Sequence, residues 1–383
     1  MNGDDAETAG VSEELDGRAA PPDGVAHLRA LAATPRFAGS AEESAARAYC
    51  AGVLRDGGWD VSITPFEYSA LPGRYGTPIG GAIAAVTVTA TCVLAGIYRS
   101  PGVALTVFGA GLLVLTSFAL RMLGDGVLDL PCMRTQGENL EATRGSAPPR
   151  VWLVAHLDSK SQPIPSQSRI LGVVMLSLSI ALTLVALALT LAAGSTRTIL
   201  YLVCVGLAGA GARAVVYSVV RNESTGAVDN ASGVAAVLAA AARLEGDAAV
   251  GVLIPSAEEL GLAGARAWLR ANGAERAFVL NCDGVDDQGE LTLMYTRTMP
   301  RPIVDAVRQV AGKRLHVRRM PPGLLLDSVA FADAGWTAAT VSHGSMRTLA
   351  RVHTKYDSLE ILRGDSIQPV SVVLARAAEA LSR

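Results

Sequence analysis

Two of the five histidines stand beside carboxylates near predicted strand ends, a combination of side chains that binds transition metals. The first, His156, follows the apolar run Val151 to Ala155 and precedes Asp158 by two residues. The run predicts a buried strand, and both side chains leave its carboxyl end in the same direction. In open α/β sheets that edge binds ligands. His156 is therefore either a metal ligand whose tautomer a carboxylate fixes, or part of an ordinary surface loop.

A second candidate ligand, Asp229, lies in the run GAVDNASG at 226 to 233, which opens an alanine-rich helix. Asp and Asn are favoured helix N-caps, so a structural role would explain this residue. A carboxylate can also bridge two cations, and small neighbours let a metal lie close to the backbone. Taken alone, the segment favours neither a cap nor a ligand.

Adjacent carboxylates, Glu258 and Glu259, follow the predicted strand Val250 to Pro255 and precede a predicted helix. Acidic residues at a helix N-terminus are favourable because of the helix dipole alone. Neighbouring side chains at a strand-to-helix turn also point in different directions. One carboxylate can therefore bind a metal while the other holds a water molecule.

Two more candidates follow later strands of the same region. Asp283 ends the predicted strand Ala277 to Cys282, and His353 follows a loop after the predicted strand Ala338 to Ser342. Asp357 lies four residues further on. All of these candidates therefore stand at or after predicted strand ends or at a helix start, where a sheet edge could gather them.

Strand-length apolar runs and helical patterns alternate from Arg221 onward, after a shorter predicted helix and strand near the start of the chain. This alternation predicts an α/β fold of three layers, with a mostly parallel mixed sheet between helices. The predicted strands are 61–66, 151–155, 250–255, 277–282 and 338–342, and the predicted helices are 41–56, 231–244, 260–271, 302–311 and 366–381.

Four apolar stretches interrupt this pattern, and the whole chain is half hydrophobic with a mean hydropathy of +0.34. Its charged share of 18% is below the value of about 25% usual for soluble proteins. A bilayer core requires about 20 apolar residues, so we expect two transmembrane hairpins. The fourth stretch contains Arg213, and a buried helix of a soluble core is its alternative interpretation. The stretches are 79–98, 102–120, 170–193 and 198–220.

The hairpins are expected to be insertions into one catalytic domain, because the soluble pieces on both sides of each hairpin must meet on one side of the membrane. The predicted organisation is a disordered acidic tail (1–24), three parts of the catalytic domain (25–70, 135–168 and 221–383) and hairpins at 79–120 and 170–220. The five cysteines have no regular spacing, which argues against a disulfide framework.

The order of the motifs resembles that of the clan MH zinc exopeptidases, of the aminopeptidase Y and bacterial leucyl aminopeptidase type. The resemblance rests on five motifs and covers most of the chain outside the hairpins, including the segment FAGS at 37 to 40. The motifs are HLDS at 156 to 159, GAVDNASG at 226 to 233, AEELGLAG at 257 to 264, NCDG at 281 to 284 and VHTKYD at 352 to 357.

The resemblance implies two zinc ions. His156, Asp229 and Asp283 would bind one ion, while Asp229, Glu259 and His353 would bind the other, with Asp229 bridging. Nitrogen and carboxylate donors suit zinc, and three negative ligands partly neutralise two divalent cations. The sequence is therefore expected to encode a di-zinc centre.

The same resemblance implies that Glu258 is the general base and that Asp158 orients His156. Zinc lowers the pKa of bound water toward about 7, so that a nearby carboxylate can take its proton and pass it to the leaving amine. The implied function is hydrolysis of a terminal peptide bond, with a peptide as substrate and the lipid bilayer as partner.

The last third departs from the family pattern, because Leu326-Asp327-Ser328 stands where an S-D-H-type motif is usual. A glutaminyl cyclase-like reaction is one alternative, since H-x-D-S-K of those enzymes matches 156 to 160. Asp229-Asn230 favours the peptidases. A catalytically silent domain is another alternative, although every ligand position and Glu258 are present.

A transporter is disfavoured because the apolar stretches contain no acidic residue. Nucleic acid is an unexpected partner, because 33 Lys and Arg balance 35 Asp and Glu without a long basic run.

Positive charges near the apolar stretches predict a cytoplasmic catalytic domain in the cell membrane. Six basic residues flank the stretches on the catalytic side, and two lie in the hairpin turns. The absence of a recognisable signal peptide in the first residues agrees with this expectation. The six are Arg74, Arg121, Arg134, Lys160, Arg169 and Arg221, and the two are Arg99 and Arg197.

Overall fold

The computed structural model describes residues 23–195, 198–246, 248–273, 276–321 and 323–383. The tail predicted for residues 1–24 lies outside these ranges except for its last two residues. Gly24 is the first residue of helix α1 (Gly24–Leu31), and Asp23 caps that helix by accepting a hydrogen bond from Val25 N at 3.0 Å. The predicted tail therefore extends too far, because an aspartate cap starts the helix.

An eight-stranded mixed sheet forms the centre of the described chain, in the order β1-β2-β4-β3-β5-β8-β6-β7. The neighbours β4, β3, β5 and β8 run parallel. The pairs β1–β2, β2–β4 and β6–β8 are antiparallel. The strands are β1 (Asp60–Ser69), β2 (Arg134–Thr143), β3 (Val151–Val154), β4 (Val250–Ile254), β5 (Phe278–Val285), β6 (Glu290–Tyr295), β7 (His316–Arg319) and β8 (Thr337–Gly344).

Helices cover both faces of this sheet, as the predicted three-layer architecture requires. Alternate residues of β3 show the two sides, because Leu153 packs into one apolar core while Trp152 and Val154 pack into the other. The first core contains α1, α2 (Ala41–Asp56), α8 (Gly233–Ala241), α10 (Arg301–Ala311) and α13 (Ile367–Ser382). The second contains α9 (Ala263–Asn272) and α11 (Asp327–Asp333), and the short helices are α5 (Gly126–Asp129) and α12 (Met346–Arg351).

Three strands, β2, β6 and β7, are missing from the sequence prediction. The predicted strands of the sheet centre are continuous apolar runs, because parallel strands are buried on both faces. In contrast, β2 (RTQGENLEAT) and β7 (HVRR) are mostly polar, and β7 is a largely exposed edge strand. Their pairing partners, rather than their own composition, make them strands.

Two helices begin later than predicted, and in both places the intervening turn carries candidate ligands. Helix α8 begins at Gly233 instead of Ala231, because Asp229 and Asn230 have non-helical backbone angles. Helix α9 begins at Ala263 instead of Leu260, after a single 3₁₀ turn at Glu258–Leu260. The helical periodicity of the sequence does not show where these turns end.

Four long helices are apolar enough to cross a membrane by length and composition, with mean hydropathies of 1.9 to 2.6. They form two helical hairpins: α3 (Thr77–Gly96) with α4 (Pro101–Met122), and α6 (Ser166–Ala193) with α7 (Thr198–Val216). The first hairpin lies between β1 and β2, and the second between β3 and α8. Helix α6 begins four residues before the predicted Ile170, and α7 ends four residues before the predicted Val220.

The four helices pack on one another through small residues. A Cβ atom added to Gly211 in α7 would lie 2.6 Å from the main-chain oxygen of Gly172 in α6, so only glycine permits this approach. Gly81 in α3 similarly faces Val215 of α7. The outward surfaces carry exposed apolar side chains such as Leu113 and Ile199.

The base of the first hairpin also packs on the domain. A π-helical segment, Pro72–Gly76, leads directly into α3. A Cβ atom added to Gly73 would lie 2.3 Å from the Cα of Leu260, which belongs to the turn after β4. The hairpin and the turn that carries Glu258 and Glu259 are therefore in backbone contact.

Replacing Gly73 by Ala should lower the thermal unfolding temperature, because the added methyl group must push two backbones apart. We expect a loss of roughly 1–3 kcal/mol of stability. Gly76→Ala is the matched control, because a Cβ atom at Gly76 would meet nothing within 4 Å. Equal unfolding temperatures for the two variants would contradict this packing.

Candidate metal centre

The strand register brings the candidate ligands to one edge of the sheet. Val154 of β3 pairs with Leu253 of β4 on one side and with Asn281 of β5 on the other. These three strands are parallel, so the residues that follow them emerge together at their carboxyl ends. His156 and Asp283 each lie two residues beyond such a pair, and the Glu258–Glu259 turn follows β4.

Two groups of nitrogen and oxygen donors share Asp229. In the first group, His156 Nε2 lies 3.1 Å from Asp229 Oδ1 and 3.6 Å from Asp283 Oδ2. In the second group, His353 Nε2 lies 2.8 Å from Asp229 Oδ2 and 3.2 Å from Glu259 Oε1. The donor atoms of each group lie within 4.8 Å of one another. The structure thus brings together all five predicted ligands, and one carboxylate faces both groups.

The donor atoms fit a pair of cations. His156 Nε2, Asp283 Oδ2 and Glu259 Oε1 are buried, and within the described residues they have no hydrogen-bond partner. Buried polar atoms are normally paired, so three such atoms at one place indicate that a ligand completes them. Imidazole and carboxylate donors are those that zinc prefers.

Asp158 lies close to His156 but holds another part of the site. The Nδ1 atom of His156 is 3.0 Å from the main-chain oxygen of Asp158 and 3.7 Å from its Oδ1. The carboxylate itself accepts hydrogen bonds from Glu258 N at 3.0 Å and Glu259 N at 3.1 Å. A proton on Nδ1 would leave Nε2 free as the metal-facing atom. The main-chain oxygen of Asp158 is therefore the nearest atom that can orient the His156 ring. The carboxylate of Asp158 instead holds the turn that carries Glu258 and Glu259.

Asp357 repeats this arrangement at the other ligand-bearing turn. Its carboxylate accepts hydrogen bonds from Val228 N at 2.7 Å and Asp229 N at 3.1 Å. Burial raises the pKa of Asp357 to about 7, an effect that these two hydrogen bonds partly oppose. Gly226 precedes the turn with a positive φ of 55°, and a Cβ atom there would lie 2.6 Å from Ser159 Cβ. Only glycine fits this approach of two site loops.

Arg36 joins the site loops and is missing from the set of residues predicted by the sequence. It is 1% exposed, and its guanidinium donates to the main-chain oxygens of Leu157, Thr225 and Gly226. It also bonds to Leu31 at the end of α1. Burial lowers the pKa of Arg36 to about 10, which leaves it charged at neutral pH. The sequence feature that could have identified Arg36 is its position directly before the FAGS segment.

Glu258, the predicted base, lies beside the first group, with Oε2 4.0 Å from His156 Nε2. Burial, with neighbouring carboxylates, raises the pKa of Glu258 well above its usual range. Asp327, from the segment that departs from the family pattern, is also fully buried, and both its oxygens lack partners within the described residues. Burial raises the pKa of Asp327 to about 7. Asp327 can therefore hold or release a proton near neutral pH.

Two basic side chains border the second group. Lys160 Nζ lies 2.5 Å from Glu259 Oε2, and Arg169 Nη2 lies 3.5 Å from His353 Nδ1. Arg169 is in the first turn of α6, so the second hairpin begins directly at the site. These cations offset part of the negative charge of the carboxylates.

The peptidase family M28 model matches residues 139–378, and the chain belongs to this family of zinc peptidases. The matched region contains all five predicted ligands and Glu258. No curated protein matches the sequence at a significant level.

Several solved structures share the fold at low sequence identity. An aminopeptidase from Aneurinibacillus sp. strain AM-1 is 14% identical, with a TM-score of 0.53 over 93% of this chain and 92% of that chain. A zinc aminopeptidase from Bacillus subtilis is 15% identical, with a TM-score of 0.52 over 92% and 93%. Glutaminyl cyclase from Porphyromonas gingivalis is also 15% identical, with a TM-score of 0.53 over 92% and 96%.

Asp158→Asn should lower the unfolding temperature, because one of two buried main-chain N–H groups would then face an amide that cannot accept. Removing such a charged acceptor corresponds to a loss of roughly 1.5–3 kcal/mol. Asp287→Asn is the control, since Asp287 accepts from three main-chain N–H groups at a more exposed loop where water can replace it. A loss for Asp287→Asn as large as that for Asp158→Asn would contradict the assigned role.

Proposed function

We propose that this protein is a membrane-bound di-zinc exopeptidase of the aminopeptidase type, which hydrolyses the terminal peptide bond of a peptide. The observation that carries the proposal is the position of Asp229. It presents one oxygen to each of two histidine-carboxylate groups, at 3.1 and 2.8 Å. A single carboxylate so placed would contribute one oxygen to each of the two ion sites.

Zinc supplies Lewis acidity when bound, because it polarises a carbonyl group and lowers the pKa of water. His156, Asp229 and Asp283 would hold one ion, and Asp229, Glu259 and His353 the other. The remaining chemistry belongs to Glu258. Its Oε2 takes the proton of the attacking water and then delivers that proton to the nitrogen of the leaving amine.

Two features support a substrate with a free amino terminus. The buried site contains further carboxylates besides the three that belong to the predicted ligands. One of them is Asp327, whose two carboxylate oxygens have no partner in the described chain. A buried carboxylate of this kind can accept hydrogen bonds from a substrate ammonium group. Structures of aminopeptidases also share the fold.

A glutaminyl cyclase-like reaction is the second candidate. The observation that favours it is Lys160, which completes the H-x-D-S-K pattern and contacts Glu259 at 2.5 Å. The two reactions differ in their products: a peptidase releases an amino acid, whereas a cyclase releases ammonia from an N-terminal glutamine. A panel of dipeptides and glutaminyl peptides would separate them.

Membrane placement rests on the four long apolar helices and on their surfaces. Their outward side chains, including Leu113, Leu171 and Ile199, are more than half exposed. Apolar patches of this extent are unfavourable in water but are stable in hydrocarbon. The proposed topology has two hairpins, with both of their bases on the side of the catalytic domain.

Glu258→Gln should keep two zinc ions per chain but lose turnover by about a hundredfold or more, because an amide cannot take the proton. Zinc would be counted by elemental analysis and turnover measured on a dipeptide panel. The control is Glu290→Gln, since Glu290 is exposed at the start of β6 and is not among the candidate ligands. Near-normal kcat for Glu258→Gln would refute this role, and full activity of the wild type after complete metal removal would refute the zinc centre.

The excess of six basic residues over two predicts that the catalytic domain faces the cytoplasm. In a cysteine-free variant, Ser100→Cys in the first hairpin turn should react with an impermeant thiol reagent added to intact cells. Ser382→Cys, at the end of α13, should not react. The opposite labelling would place the catalytic domain outside, and extraction of the protein by carbonate would contradict membrane insertion.

A further inference from the structure

Asp286 is a buried aspartate that takes no part in the proposed reaction. It follows β5 directly, three residues after the candidate ligand Asp283, and it is 2% exposed. Its main chain is fixed to β8, because Asp286 N donates to His343 O at 2.8 Å and His343 Nδ1 lies 2.6 Å from Asp286 O. The sheet that carries Asp283 therefore also determines where the carboxylate of Asp286 lies.

The carboxylate of Asp286 holds the short helix α12. Its Oδ2 atom accepts a hydrogen bond from Thr348 Oγ1 at 2.6 Å and pairs with the guanidinium of Arg351, and both of these residues belong to α12. Its Oδ1 atom accepts from Asp287 N at 2.8 Å. A helix of six residues has little stability of its own, so contacts from outside must fix its position.

Helix α12 leads directly to the candidate ligand His353, two residues after Arg351. The main-chain oxygen of Arg351 accepts from Thr354 N at 3.0 Å and from Thr354 Oγ1 at 2.6 Å, which closes a turn around His353. His353 has a positive φ of 65°, a backbone conformation that residues other than glycine rarely adopt. The position of its ring therefore depends on where α12 ends.

Buried aspartates have a comparable role at the other ligand-bearing turns. Asp158 and Asp357 each accept hydrogen bonds from two main-chain N–H groups of such a turn. His353 instead follows a helix outside the sheet, and Asp286 contacts that helix through side chains. The contact can therefore be removed from either side by substitution without altering a candidate ligand.

We propose that Asp286 is a positioning residue for the second donor group, which consists of Asp229, Glu259 and His353. By holding α12, it keeps His353 Nε2 at 2.8 Å from Asp229 and 3.2 Å from Glu259. The end of β5 thus carries Asp283 of the first group and fixes His353 of the second. This inference rests on the zinc centre of the proposed function, but it does not depend on the peptidase reaction.

Asp286→Asn should weaken zinc binding at the second group selectively. The substitution keeps the shape of the side chain but replaces the charged acceptor of Thr348 and Arg351 by a neutral amide. Because residues that orient metal ligands commonly change metal affinity by about 10–100-fold, we expect a loss of about tenfold or more at the second group. The affinity of the first group should stay unchanged, because its ligands do not belong to the α12 segment.

The test measures two zinc dissociation constants of the metal-free full chain in nanodiscs, by competition with a fluorescent chelator. His353→Ala identifies the constant that belongs to the second group. Asp287→Asn is the matched control, because Asp287 is the next residue and its carboxylate holds the main chain of 363–365 instead of α12. Equal losses at both groups would indicate general destabilisation and overturn the proposal, as would wild-type constants for Asp286→Asn.

Variants of α12 test the same contact from its other side. Arg351→Gln should weaken the second group in the same direction, and Arg351→Lys, which keeps the charge, should recover part of the affinity. The side chain of Arg351 is 28% exposed, so these variants remain available if Asp286→Asn fails to fold. Asp286→Asn combined with Arg351→Gln should lose no more than the larger single loss, because the two residues share one interaction. Additive losses would contradict the contact.

Hydrolysis of dipeptides, measured on the same samples, separates this inference from the proposed function. Selective loss at the second group in a chain that binds two zinc ions but hydrolyses no dipeptide would support the role of Asp286 and overturn the peptidase proposal. Wild-type zinc constants for Asp286→Asn in a chain that hydrolyses dipeptides would overturn the positioning role alone. A wild type that binds fewer than two zinc ions would overturn both.

Discussion

The burial of several carboxylates at one edge of the sheet is the constraint on which the rest of the structure depends. Asp229, Glu258, Glu259, Asp283 and Asp327 are all less than a tenth exposed, and like charges in a poorly solvated place repel strongly. Such a group is stable only when cations or protons compensate it. Two imidazoles and Lys160 supply part of that compensation, and under the proposed function two zinc ions would supply the rest, which would tie the chemistry of the site to its stability.

The second requirement is backbone geometry, because the ligating side chains must be held in place before a metal ion binds to them. Asp158 and Asp357 solve this in the same way, since each accepts hydrogen bonds from two successive main-chain N–H groups of a ligand-bearing turn. Arg36 then ties the loop after β3 to the loop before Asp229. Pre-organisation of this kind holds the donor atoms close together, at the distances found around Asp229.

The sequence predicted those parts of the molecule that have a local signature. Strands β3, β4 and β5 contain apolar runs that match their burial on both faces, and candidate ligands lie after β3 and β4 and near the end of β5. Strand β7 has no such pattern, because its pairing decides its structure. The roles of Arg36 and Asp357 could not be predicted either, since their partners are main-chain atoms far away in sequence. The sequence identified Asp229 and Glu258 as candidate site residues. It did not show the shape of their turns, because that shape depends on the loops that pack on them.

The two hairpins leave the domain close to the site, and this limits how a substrate can approach. Arg169, in the first turn of α6, contacts the ring of His353, and Gly73, just before α3, packs on the turn of Glu258 and Glu259. Under the proposed membrane placement, the metal centre therefore lies within a few residues of the membrane surface. A peptide end cannot reach it through the helices. A substrate would therefore reach the candidate metal centre from a part of the domain that the hairpins do not cover.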